Sequence, residues 1–199
     1  MIVYVCDVGS IAKRNFAWTS SARGKRGSID INELVAEITR DIRSRNKIAI
    51  GFECPLFIPC PVASSDIGKA RDCDGNKAYT SSVGASVAMT GLSQVAWILN
   101  EIHKKCPNVK ATTSWRAFTK GEADILIWEA FVTGDSKGAD HIQDAYIAMK
   151  AFQLNQEAKE RGIVDSCSNT MSFAGALILW SGMASDLSLL RQPCIVIKP

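Results

Sequence analysis

Three carboxylates sit where a carboxylate is costly. Asp7 ends the apolar run Ile2-Val3-Tyr4-Val5-Cys6, and Glu53 ends Ile48-Ala49-Ile50-Gly51-Phe52. Asp144 lies in Asp140-His141-Ile142-Gln143-Asp144-Ala145, where a helical pattern begins. A carboxylate at the inner end of an apolar strand loses hydration that something must replace. Three such placements, distant in sequence, suggest one pocket that gathers negative charge to hold a hard divalent cation, Mg²⁺ or Mn²⁺. Two such ions about 4 Å apart activate a water and stabilise the leaving oxygen of a phosphodiester. Asp140 is a further candidate, because the spacing to Asp144 puts both on one helical face. Glu129, late in the apolar run Ile125–Phe131, is another.

Each residue also has a plainer reading. Asp7 before Val-Gly-Ser suits turn chemistry. Glu53 before Cys-Pro could reach solvent at a strand end. Asp140 could simply cap the helix, with Asp144 its solvated neighbour, and His141 suits a helix start. Glu129 could pair with a basic residue.

A nucleic-acid substrate needs cations for its phosphates. Arg23, Lys25 and Arg26 form a basic cluster in the Gly- and Ser-rich segment 20–28, with Lys13 and Arg14 nearby. Arg71, Lys69 and Lys77 lie in a long irregular stretch, where Arg71 could instead bridge to Asp72 or Asp74. Trp18 and Trp115 are candidates for stacking on bases, or buried indoles.

The elements that must position these groups read as follows. Strands are expected at residues 2–7, 15–19, 47–52, 109–115, 125–131 and 194–197. Asp30 suits an N-cap, and Ile31, Leu34, Val35 and Ile38 predict a helix to about Ser44. Further helices are expected over Val83–Lys105 and from about Ala139 to Ala158. Met171–Ala184 reads as a buried apolar helix, too short for the roughly 20 residues that span a bilayer. Pro55–Thr80 is expected to be a long irregular loop of the kind that carries function. The β-β-α-β-α-β-β-α order implies an α/β fold, a mixed sheet with helices on its faces.

At this point the residues resemble a known family. Asp-x-Gly-Ser at the end of the first strand is similar to the opening of ribonuclease H-like proteins. Ile48–Leu56 resembles the acidic-x-Pro-Leu strand of an uncharacterised family of predicted ribonuclease H-like nucleases. Arg71-Asp72-Cys73-Asp74 is similar to that family's Arg-x-x-Asp element, and Glu129 matches its next acidic position. Asp140–Ala148 looks like its helix motif, which the Holliday-junction resolvase branch shares. The matches run in order over residues 1–150. The resemblance implies a single ribonuclease H-like domain over 1–199, with helices on both faces of a mixed sheet. It implies divalent-metal nuclease chemistry, with Asp7, Glu53 and Asp144 or Asp140 as ligands.

Composition fits that frame. The 199 residues are 47% hydrophobic and 22% charged, values of an ordinary globular chain. A net charge of +3 permits a nucleic-acid partner without requiring one. Seven cysteines, none in a C-x-x-C pair, argue against a disulfide framework or a zinc site. With no basic segment leading an apolar one, a reducing cytoplasm and no membrane are expected. Only two histidines and no G-x-S-x-G elbow, Walker loop or G-x-G-x-x-G turn argue against a serine hydrolase, a P-loop enzyme or a Rossmann dehydrogenase. Two other functions compete. One is a non-catalytic nucleic-acid-binding module of the same fold. The other is an actin-like ATP/phosphate-binding domain, whose phosphate loop also opens Asp-x-Gly-Ser or -Thr, although such proteins need two domains around the nucleotide. A sheet edge or the apolar C-terminal helix offers a homodimer contact.

Overall fold

A computed structural model describes residues 1–74, 79–132, 136–155 and 169–199. Strand β1 (Ile2–Asp7) turns back into β2 (Ala17–Ser20), its antiparallel partner. Helix α1 (Ile31–Arg43) starts at Asp30, whose carboxylate accepts from the amides of Asn32 and Glu33. It returns the chain to β3 (Ile48–Phe52), parallel to β1. Helix α2 (Ser82–Lys105) leads to β5 (Ala111–Thr112), short helix α3 (Trp115–Lys120) and β6 (Ile125–Ala130). Helix α4 (His141–Leu154), helix α5 (Phe173–Trp180) and β8 (Val196–Ile197) follow. The main sheet runs β2-β1-β3-β6-β5, and β8 also pairs with β6. All its strands are parallel except β2, so the molecule is α/β with a mixed sheet.

Period-two alternation divides the strands between two cores. Tyr4, Cys6, Ile48, Ile50, Phe52, Ile125 and Ile127 face the side covered by α1, α2 and α5. Val3, Val5, Ala49, Leu126, Trp128 and Ala130 face α3 and α4. Trp128 stacks on Phe152 of α4 at a centroid distance of 4.4 Å. Gly51 makes room for this pair, since a Cβ there would overlap the Trp128 ring. By length and composition α2 could cross a membrane. Here its Gly91, Val95, Ile98, Leu99 and Ile102 are buried, a core stripe of the kind such a helix presents to a sheet.

Several elements differ from expectation. The strand expected at 109–115 keeps two residues, because the Ser114 hydroxyl caps α3 by accepting from Ala117 N–H. The Pro55–Thr80 stretch contains strand β4 (Phe57–Pro59). β4 pairs antiparallel with β7 (Thr170–Ser172) in a second, two-stranded sheet. The helix expected from Met171 therefore begins only at Phe173, capped by Ser172. The far end of the helix expected to reach Ala158 lies outside the described residues, as do Lys77 and Cys167. Cys6, Cys54 and Cys194 are free and buried, as small hydrophobes are.

Candidate metal centre

β1 and β3 are parallel neighbours, so their carboxyl ends emerge side by side. Alternation decides what they present. Asp7 is in phase with Val3 and Val5, and Glu53 with Ala49, so both belong to the α4 face. The Glu53 amide donates to the Cys6 carbonyl at 2.9 Å, which fixes the two chain ends against each other. Helix α4 packs on β1 and β2 through Ala145, Ala148, Met149 and Phe152. His141 and Asp144 share that face at helical spacing and meet the strand ends.

The groups converge. His141 Nδ1 lies 2.6 Å from Asp7 Oδ2. One ligand atom from each of Asp7, His141 and Asp144 lies within 4.8 Å of the other two, so the trio could hold a metal ion. Asp144 is buried, accepts from the Gly138 amide at 2.6 Å, and has Lys137 Nζ 3.7 Å from Oδ2. Glu53 accepts from the Val132 amide, while its buried Oε2 has no hydrogen-bond partner among the described residues.

The electrostatics record the crowding. Burial pushes the Asp7 carboxyl up to about 6; the Asp144 charge adds to this, and His141 and Lys137 oppose it. Burial, then the charge of Asp7, pushes Glu53 up to about 8, with Asp144 adding and Lys137 opposing. Without a cation Glu53 keeps its proton through neutrality, whereas Asp7 gives up its own just below it.

Glu53 is not one of that trio; it lies close enough to feel the charges of Asp7 and Asp144. Asp140 and Glu129, the other expected ligands, stand apart as well. Asp140 is exposed and accepts from the Gln143 amide as the N-cap of α4. Glu129 lies one residue out of phase, in register with Phe52, and so faces the opposite core. There its Oε1 meets Arg71 at 2.6 Å, and its Oε2 accepts from Arg71 Nη1 at 2.9 Å and Leu56 N–H at 3.0 Å. Burial pushes Glu129 up, and Arg71 opposes.

The expected phosphate contacts are also redistributed. The Arg71 side chain is wholly buried between Glu129 and Asp74, so it cannot reach a phosphate in this arrangement. Arg23 is bound to Glu33 and Glu37 and lies 4.6 Å over the Trp18 ring. Lys25 and Arg26 are exposed, and Lys25 lies 5.8 Å over Tyr146. Their loop leaves β2 at Ser20, which registers with Tyr4, whereas Asp7 registers with Ala17. The exposed Lys13 and Arg14, in the β1–β2 connection, lie at the Asp7 end instead. Trp18 is buried, with Nε1–H donating to Asp30 O at 2.8 Å, and Trp115 packs on Phe118 and Phe152.

Sequence reasoning undervalued His141 and missed Lys137. His141 is three residues before Asp144 on one helix face, and that spacing was the available signal. Lys137 belongs to no motif and reaches Asp144 only through the turn before α4. A cavity of about 800 Å³ between β5, α3 and residues 182–192 lies away from the carboxylates. Compared with protein-family models, curated proteins and solved structures, the chain has no significant match.

Proposed function

We propose that the chain is a divalent-metal-dependent nuclease of ribonuclease H-like fold that hydrolyses phosphodiester bonds of nucleic acid. The observation that carries the reading is the convergence of Asp7, Asp144 and His141 within 4.8 Å at the carboxyl end of a parallel strand pair. The mixed sheet with helices on both faces is the architecture that the ribonuclease H-like resemblance implies.

Mg²⁺ or Mn²⁺ fits this donor set. Asp7, Asp144 and Glu53 offer hard oxygens, the buried Glu53 Oε2 has no hydrogen-bond partner among the described residues, and His141 adds a nitrogen beside them. When bound, such an ion lowers the pKa of water and neutralises charge on the leaving oxygen. The chain's own residues supply the rest. Asp7, Glu53 and Asp144 hold the charge, and the Gly138 amide fixes the Asp144 carboxylate. His141, with half its side chain exposed, orients Asp7. Lys137 places a positive charge beside Asp144, where a phosphate oxygen needs one.

The test is cleavage of a branched or hybrid nucleic acid with and without the ion. Cleavage is expected only with Mg²⁺ or Mn²⁺, and Asp7→Asn is expected to lower it at least about 100-fold while binding is retained. Cleavage in EDTA, or an unaltered rate in Asp7→Asn, rejects the assignment. Nucleic-acid binding that ignores the ion and survives loss of both Asp7 and Glu53, without turnover, would favour the non-catalytic module.

A further inference from the structure

We propose that the cavity beside Glu53 receives one unstacked nucleobase, so that the substrate is a strand with an unpaired nucleotide at the cleavage position. The inference rests on the nuclease reading above.

The cavity holds about 320 Å³, at the small end of ligand pockets. Its walls include Tyr79, Val87, Phe131 and Val132, while Glu53 and Lys137 belong to both the cavity and the acidic centre. Ser81, Glu53 and Lys137 are polar groups of the lining that can meet the edge of a ligand, while the apolar walls meet its faces. A flat heterocycle suits them, and stacking a base on an aromatic ring contributes about 1–3 kcal/mol. Any body in the cavity lies against Glu53, so a phosphodiester at Asp7 and Asp144 has its neighbouring base within reach. A base inside a duplex stack cannot enter, whereas an unpaired one enters at little unstacking cost.

The wall is fixed in advance by the element that the main site leaves unused. Asp74 Oδ2 accepts from Tyr79 N–H at 3.2 Å and from Arg71 N–H at 3.0 Å. The Arg71 guanidinium bonds Asp74 Oδ1 and both oxygens of Glu129. Arg71 is thus a positioning residue that ties the Tyr79 wall to β6, and a preformed wall lowers the ordering cost of binding.

The experiment measures affinity by fluorescence polarisation in EDTA at fixed salt, with labelled oligonucleotides. One probe is a fully paired duplex, the other the same duplex with a single bulged nucleotide. The full chain is expected to bind the bulged probe about 10-fold more tightly, from one stacked base. Val87→Trp fills the cavity and is expected to abolish that preference while keeping the wild-type thermal shift with Mn²⁺. Val83→Trp, at an exposed position on the rim, is a second plug that spares the fold. No preference in the wild type, or a preference kept by both folded variants, overturns the proposal. A preference that both variants lose, in a protein that cleaves nothing with any divalent ion, sinks the nuclease reading but supports the cavity as a base site.

Discussion

Glu53 and Asp7 keep their protons to a higher pH in the folded chain than carboxyls normally do. The folded state therefore binds more protons than the unfolded chain, and stability falls as pH rises. For Glu53 the penalty begins near 4.5 and is complete above about 8. Glu53→Gln removes the ionising group, so its metal-free melting temperature is expected to exceed the wild type's by several degrees at pH 8.5. Near pH 4 the difference should vanish, and scanning calorimetry across that range checks it; a gap independent of pH would contradict the burial of this group. The same protons compete with the cation. Mn²⁺ affinity by calorimetry is expected to rise as pH increases from 5.5 to 8, with proton release on binding. At this scale the sequence disclosed much of the site. Asp7 and Glu53 were legible because strand-end carboxylates are costly, and Asp144 because of the helix motif that it shares with the resembled family. Of the two readings of Glu129, pairing with a basic residue holds, through Arg71, and strand phase is the reason. Asp7 follows Val3 and Val5, whereas Glu129 follows Ile125 and Ile127 in register with Ile48 and Ile50, on the other face.

The elements hold the site through a few fixed points. Arg71, Asp74 and Glu129 join the chain after β4 to the middle of the sheet, with side chains at most 1% exposed. Breaking one partner leaves a charge buried without compensation, at a cost of about 3–5 kcal/mol. Glu129→Gln and Arg71→Leu are each expected to lower the urea midpoint accordingly. A loss near zero would mean that the network is open to water. Gly51→Val drives two methyl groups into the Trp128 ring and is expected to destabilise by about 1–3 kcal/mol or prevent soluble expression. The long elements were legible from their periodicity, as in α1, where Asp30 caps and Leu34, Val35 and Ile38 face inward. The short ones were not. β4 is three residues long and finds its partner β7 more than a hundred residues later, so neither carries a local pattern. At α3, the Ser114 cap turns the chain into a helix directly after Thr113, so the strand expected to reach Trp115 stops at Thr112.

At the scale of the whole molecule, the sheet brings Asp7 and Asp144 together at one end, where the proposed cation would neutralise them. A ligand that binds only the folded chain raises its stability by mass action. Saturating Mn²⁺ is accordingly expected to raise the melting temperature of the wild type at pH 8 by several degrees, and that of Asp7→Asn much less. The mild positive balance of the whole chain, +3, fits a partner with repeated negative charge only if the exposed cations near the site take part. Lys13 and Arg14 lie at that end, so their joint replacement by alanine is expected to weaken nucleic-acid binding and flatten its salt dependence. The central claim is that these acids form a cation site, and the most direct test is an anomalous difference map from crystals soaked in Mn²⁺. A peak within coordination distance of the Asp7 and Asp144 carboxylates, beside His141 or Glu53, is the predicted result. A map with Mn²⁺ bound elsewhere and none between Asp7 and Asp144 would contradict it.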